Sequence, residues 1–255
     1  MRYRDPTERF ADRVDAYIQY RPSYPAELIE LLTQECGLHP DWAVADIGSG
    51  TGIFSRLFLE RGHRVYGVEP NSQMRRAAEA LLTGFSGFRS VAGSAEDTTL
   101  RDHCVDLVVA AQAFHWFDPE FARQEFVRIL RPGGIVALIW NDRRKDTTRF
   151  LSDYERLLLD FGTDYRKVDH SRIGESALKA FFGAEGFHTA AFENHQKLDF
   201  YGLRGRLLSA SYVPTDADPR FSAMIRQLHS IFERNQSQGE VSLDYDTRIY
   251  YGCLT

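Results

Sequence analysis

Val44-Ala-Asp-Ile47 is a short apolar run, and Gly48-Ser-Gly50-Thr-Gly52 follows it directly, before the apolar-periodic stretch Ile53–Arg61. A brief run with branched residues suits a buried strand, and apolar residues at three- and four-residue spacing suit a helix. Glycines spaced by two let the backbone turn sharply and let a ligand approach with no Cβ in the way. The stretch therefore reads as strand, glycine turn, helix, with room for a ligand at the turn.

Outward from it the alternation continues. Val65-Tyr-Gly-Val68, Phe88-Arg-Ser-Val91, Val105-Asp-Leu-Val-Val-Ala-Ala111 and Ile135-Val-Ala-Leu-Ile-Trp140 read as further strands, and Ser72–Leu82 and Pro119–Leu130 as helices between them. The punctuation agrees: Asp118-Pro119 places an N-cap before a proline at the first helical position. Gly62 suits a left-handed helix end, and Arg131-Pro-Gly-Gly134 reads as a tight turn into the next strand. Strand–helix alternation implies parallel strands with right-handed crossovers and a sheet covered on both faces. Ligands in such sheets bind beyond the carboxyl ends of the strands, at the switch point.

After Asn141 the rhythm changes. Thr147–Phe161, Glu175–Glu185, Leu203–Ser211 and Pro219–Arg234 read as helices, the last opened by Asp218-Pro219, while Thr189–Asn194 and Tyr245–Tyr251 read as strands. The expected architecture is α/β: a doubly wound, mostly parallel, seven-stranded sheet with a helical cap. One domain spans residues 1–255. It divides into an N-terminal lid arm (1–25), a cofactor-binding core (26–141), cap insertions with a late strand (142–235) and a C-terminal strand (236–255).

Composition narrows the function classes. A net charge of −5 argues against broad capture of a phosphate backbone. No apolar run approaches the ~18 residues of a spanning helix, and the charged N-terminus has no secretion-signal core. Cys36, Cys104 and Cys253 match no metal spacing and fit a reducing cytoplasm, so a cytoplasmic protein with no metal, membrane or nucleic-acid partner is expected.

Glu69 ends the second strand, where a carboxylate can accept hydrogen bonds from both hydroxyls of a ribose. A dinucleotide fingerprint would read G-x-G-x-x-G, whereas the spacing here is G-x-G-x-G with Asp46 just before it. A carboxylate beside a pyrophosphate is repelled, but beside a sulfonium and an α-ammonium it is helpful. The arrangement favours S-adenosylmethionine over a nicotinamide cofactor.

The segments VADIGSGTGIFS (44–55), VYGVEPNSQM (65–74), AGSAED (92–97), VDLVVAAQAFHWFD (105–118) and RILRPGG (128–134) occur in that order. Together they resemble the class I methyltransferase family, with its Rossmann-like fold. Tyr20-Arg-Pro-Ser-Tyr-Pro25 and the AFHWF stretch are similar to the branch of trans-aconitate methyltransferase. The motifs cover residues 17 to 141. Many relatives carry Cys at the position of Ser49 and Asp at that of Glu69, departures that keep size or charge.

The resemblance implies a role for each matching residue. Gly48, Gly50 and Gly52 line the methionine and ribose of S-adenosylmethionine, Ser49 and Pro70 belong to the same set, and Asp46 lies near the amino group. Glu69 holds the ribose hydroxyls, Met74 packs on the adenine face, and Ala95 and Glu96 meet the adenine edge. Gln112 borders the sulfur, while Tyr20 and Arg21 close over the top with the guanidinium facing the methionine carboxylate. The product is S-adenosylhomocysteine, and the same branch implies transfer to oxygen of a small molecule, where the residues alone leave nitrogen and carbon open. The arginines suit a carboxylate acceptor and the aromatics a flat one such as a phenol.

Several of these residues also read plainly. Met74 could fill a core gap, Glu96 could be a solvated carboxylate, and the prolines around Tyr20 could only stiffen a loop. His115 reads either as a general base or as a structural histidine between Phe114 and Trp116. Phe114, His115 and Trp116, with Arg143 and Tyr212, are the candidate acceptor pocket. The basic run Arg143-Arg-Lys145 is otherwise a solvated face. The Asn/Asp-Pro-Pro-Tyr element of adenine N-methylation is missing after the fourth strand. Two other classes differ in cofactor behaviour: a non-catalytic binder of S-adenosylmethionine, and an oxidoreductase binding NAD(H).

Overall fold

A computed structural model describes residues 14–163, 165 and 174–254. Residues 1–13 of the expected lid arm lie outside them. Seven strands form one sheet in the order β3-β2-β1-β4-β5-β7-β6. The strands are β1 (Ala43–Ile47), β2 (Arg64–Val68), β3 (Phe88–Val91), β4 (Val105–Ala111), β5 (Leu130–Arg143), β6 (His188–Leu198) and β7 (Val241–Cys253). β1 to β5 pair in parallel, and β7 runs antiparallel between β5 and β6. The chain winds outward from β1 to β3 and then returns to β4 on the other side, so the switch point lies between β1 and β4.

Alternate residues of β1 serve opposite faces. Val44 packs with Leu28, Leu32, Phe54 and Phe58 of α2 (Glu27–Cys36) and α3 (Ile53–Leu59). Ala45 faces Phe126, Ile129, Phe181 and Phe182, on α5 (Pro119–Ile129) and α7 (Glu175–Phe182). Burial on both faces explains why β1 reads as a continuous apolar run rather than as an alternation. α1 (Val14–Tyr20) leads into the arm, and α4 (Ser72–Leu81) is capped by Asn71, whose side chain accepts from the backbone of Gln73 and Met74. Asp118 caps α5 in the same way, ahead of Pro119.

A third apolar cluster lies beyond the sheet. It joins α6 (Arg149–Phe161), α8 (Phe200–Leu208) and α9 (Phe221–Asn235) to Val241, Leu243 and Tyr245 at the start of β7. The two long strands make this possible: β5 and β7 stay paired out to Arg143 and Tyr245, past the end of the short parallel strands. Both are longer than the sequence pattern predicts, because the helices bury the alternating Val241, Leu243 and Tyr245.

Other boundaries also shift. Arg131–Gly134 is a bulge inside β5, since Val105 pairs with Leu130 and Leu107 then pairs with Ile135. α8 starts earlier than the pattern suggests because Asp199 caps it through Gly202 N. α9 starts later, at Phe221, because the Asp218 carboxylate is held by the backbone N–H and guanidinium of Arg220. Among the described residues no helix is long and apolar enough to cross a membrane.

Candidate active site

The glycine loop is fastened to the neighbouring strand before it faces anything else. Gly48 N and Ser49 N both donate to Val68 O, at 2.8 and 3.1 Å. A Cβ on Gly48 would stand 2.6 Å from that of Ala113, so the segment after β4 can pass close by only because Gly48 lacks one. Gly50 has φ +57, and nothing lies within 4 Å of where its Cβ would be. That position opens on a cavity of about 500 Å³ at the carboxyl ends of the central strands.

Two carboxylates face this end. Asp46, near the end of β1, is 1% exposed and accepts from Ser55 Oγ of α3 at 2.6 Å. Burial raises its pKa to about 7, against the opposing pull of the Ser55 hydrogen bonds. Glu69, just past β2, accepts from Gly50 N at 3.0 Å on one oxygen and from Asn71 N at 2.9 Å on the other. Burial pushes its pKa up as well, partly offset by those two bonds. Each oxygen keeps a further lone pair for a ligand hydroxyl.

Arg21, Asp46, Gly48, Ser49, Gly50, Glu69 and Pro70 all border the cavity. So do Met74, Ala95, Glu96 and Gln112, and on the acceptor side His115, Trp116, Arg143 and Tyr212. Glu96 is no free surface group: its Oε1 accepts from Asp118 N at 2.9 Å. Gln112 holds φ +56, a left-handed conformation uncommon outside glycine, and its amide donates to Asn141 O at 3.1 Å. The His115 and Trp116 rings lie 4.7 Å apart in the short turn after β4.

Three expected residues lie elsewhere. Phe114 is 2% exposed and meets Phe117, Trp140 and Phe181 edge to face, inside the sheet core. Gly52 faces Leu82, whose Cδ1 would be 2.5 Å from an added Cβ. The Tyr20 ring packs so closely on Gly205 of α8 that a Cβ there would clash at 2.2 Å.

The cap end of the cavity has different chemistry. Arg21, Arg143 and Arg206 border it together with Tyr17, Tyr24, Tyr165, Tyr212 and Tyr245. Arg143 pairs with Glu155, donates to Tyr165 Oη at 3.1 Å, and stacks over the Tyr154 ring. Arg21 donates to Ser209 O at 3.0 Å and lies over the Tyr17 ring. The backbone of the arm is pinned from β5 and β6: Asn141 and Asn194 donate to Ser23 O, and Gln196 donates to Tyr20 O. Sequence reading overlooked Arg206, Tyr245, Tyr165, Tyr24 and Asn141. Only Arg206 carried a signal, a charge between Leu203 and Leu207 on one apolar helix stripe.

The arrangement is thus one continuous cavity, with ribose-type acceptors and a buried carboxylate at one end and cations among phenols at the other. Comparison with known proteins fits this geometry. The methyltransferase domain profile matches residues 45–138. An uncharacterized methyltransferase of Schizosaccharomyces pombe is 33% identical over 247 residues, 94% of this chain and 95% of its own length. One of Mycobacterium tuberculosis is 41% identical over 142 residues, and the match spans only 55% of that relative and 55% of this chain. A malonyl-[acyl-carrier protein] O-methyltransferase of Pectobacterium atrosepticum is 31% identical over 130 residues, 51% of this chain and 49% of its own length. A solved structure from Anaeromyxobacter dehalogenans, provisionally described as a type II methyltransferase, shares the fold with a TM-score of 0.66 at 24% identity. It covers 91% of this chain and 97% of that one.

Proposed function

Because the chain belongs to the class I methyltransferases that use S-adenosylmethionine, we propose that it methylates a small molecule held at the cap end of its cavity. The observation that carries this reading is the single cavity joining Glu69 and Asp46 to the aromatic, cationic cap. Its volume of about 500 Å³ lies within the ~300–1,000 Å³ typical of small-ligand sites.

The residues at the strand ends suit the cofactor. In this reading the Glu69 carboxylate accepts from the ribose hydroxyls while its backbone partners hold it in place. Met74 and Ala95 flank the adenine, with Glu96 at its edge. Asp46 balances the α-ammonium, and the Arg21 Nε, buried with no hydrogen-bond partner, turns to the carboxylate. Gln112 borders the sulfur. When bound, S-adenosylmethionine supplies a methyl group on a sulfonium that carries its own leaving group.

The protein then contributes orientation and exclusion of water. In this reading His115, beside Trp116 on the cavity wall, takes a proton from a neutral acceptor hydroxyl. Oxygen is the acceptor atom in our reading. That rests on the branch the AFHWF stretch resembles, and it is also the atom named for the Pectobacterium relative.

Calorimetric titration with S-adenosylmethionine, S-adenosylhomocysteine and NADH tests the core of this reading, on the wild type and on Gly50→Val. We expect micromolar binding of the first two, none of NADH, and a loss of roughly 100-fold or more in the variant. A branched side chain at φ +57 strains the loop and projects into the nucleoside end. NADH binding without an adenosylmethionine signal would overturn the reading.

A further inference from the structure

Three guanidiniums border the cap end of the cavity, and they are not equally neutralised. Arg143 has Glu155. Arg21 has a carbonyl, a ring face and an Nε with no partner. Arg206, on α8, is 8% exposed and, among the described residues, donates to neutral groups: Tyr245 Oη at 3.3 Å and Ser209 Oγ at 3.5 Å. No described carboxylate pairs with Arg21 or Arg206, and Arg206 stands close enough to Arg21 to work against its charge, after burial itself.

A buried cation without a counter-ion is costly, and guanidinium does not escape by losing its proton. Two such cations side by side, neither paired with a carboxylate among the described residues, are positioned to take negative charges that ligands bring. On the functional reading above, the cofactor brings a single carboxylate, which suits Arg21 on the arm. One guanidinium is left over. The residues around it suit an oxyanion: the Tyr245 hydroxyl donates to Gln196 Oε1 at 2.9 Å and so accepts from Arg206 Nε, which holds the guanidinium at the cavity wall with its neutral partners. Tyr165 and Tyr212, with rings 5.0 Å apart and inclined at 47°, supply an aromatic wall to the same cavity.

We propose that Arg206 anchors an anionic group of the methyl acceptor, a carboxylate or similar oxyanion, and is the residue that restricts acceptors to anions. Pairing with the guanidinium draws on the charge of the anchored oxygens and lowers their nucleophilicity, so the methyl-receiving atom is assigned to a different part of the acceptor. The inference rests on the reading of the site as a methyltransferase cavity, and on the cofactor carboxylate going to Arg21.

Acetate is the probe, with acetamide as its neutral twin, titrated in chloride-free buffer into protein saturated with S-adenosylhomocysteine. We expect one acetate per chain, no acetamide, and at least tenfold weaker uptake in Arg206→Met, with Arg206→Lys in between. Affinity for S-adenosylhomocysteine should be unchanged in both variants. The melting temperature of unliganded Arg206→Met should hold or rise, because a purely structural arginine would lower it while an uncompensated one would not. Equal acetate binding by wild type and Arg206→Met would overturn the proposal, as would no acetate binding by the wild type. Acetate that displaces S-adenosylhomocysteine, or a variant that loses it, would assign Arg206 to the cofactor carboxylate instead. Failure of the wild type to bind S-adenosylhomocysteine at all would strike the functional reading itself, before acetate is added.

Discussion

At one end of the cavity Asp46 and Glu69 face inward from the ends of β1 and β2. At the other, Arg21, Arg143 and Arg206 face inward from the arm, the end of β5 and α8. The first end is assembled from near neighbours in the chain: Asp46 with Ser55 across 9 residues, Glu69 with Asn71 across 2 and with Gly50 across 19. The second is assembled from remote ones, such as Arg21 with Ser209 across 188 residues and Gln196 with Tyr20 across 176. An end built by a strand–turn–helix unit is fixed as soon as that unit forms. An end built by tertiary contacts can change its contents without disturbing the loop, and this is where an acceptor would be selected.

If the two ends are separable, the largest effect of removing one ligand-facing side chain belongs to Glu69. Removing its carboxylate takes away the ribose contact and leaves Gly50 N and Asn71 N without their acceptor. Each lost charge-assisted bond is worth about 1.5–3 kcal/mol, so Glu69→Ala should weaken S-adenosylhomocysteine binding by roughly 50-fold. Calorimetry would show it, and acetate uptake by any remaining liganded protein should stay the same. A change under threefold would mean that the acidic end does not hold the ribose.

The next effect is a pH dependence confined to the acidic end. Asp46 has its pKa raised to about 7 in the fold, above the ~3.9 of an unfolded chain. The native protein therefore keeps a proton that the unfolded chain has released. Its contribution to stability is full below pH ~4 and is lost as the pH rises through 7. Binding an α-ammonium asks for the ionised form, so S-adenosylhomocysteine affinity should fall about tenfold per unit below pH 7. Glu69, shifted upward by burial in the same direction, steepens the fall. In Asp46→Asn the Asp46 part of the slope disappears, at the expense of affinity at pH 8. An unchanged pH profile in that variant would remove Asp46 from the ligand's surroundings.

The same contrast explains what could be read from the chain. Strands β1 to β4, the glycine turn, the Asp118 cap and the Glu69 position follow from local periodicity and turn chemistry, and each stands within a residue or two of its expected place. The misreadings concern elements whose limits are set from afar. β5 and β7 extend because helices beyond the sheet bury Leu243 and Tyr245, which no window of sequence reports. Phe114 was expected at the acceptor pocket because its neighbours His115 and Trp116 are there. A turn of three residues points successive side chains in different directions, and Phe114 points to Trp140 and Phe181 in the core. Tyr20 was expected over the cofactor, but the missing side chain of Gly205 gives its ring a closer seat on α8.

The smallest effect tests the join between the ends. Tyr245 Oη accepts from Arg206 Nε and donates to Gln196 Oε1, while Gln196 Nε2 donates to Tyr20 O at 3.1 Å, one residue before Arg21. This chain of bonds runs from the proposed anion anchor to the arm that carries the cofactor-side guanidinium. Tyr245→Phe removes one hydroxyl and nothing else, at a cost of about 1 kcal/mol in stability if the bonds are ordinary ones. With the ends separable, acetate uptake should weaken about two- to fivefold, because Arg206 loses a tether but keeps its charge. S-adenosylhomocysteine affinity should stay within twofold. Parallel losses at both sites would mean that the hydroxyl couples them, so that filling the cap end tightens the arm over the cofactor. The comparison would then describe one site with two charges rather than two sites sharing a wall.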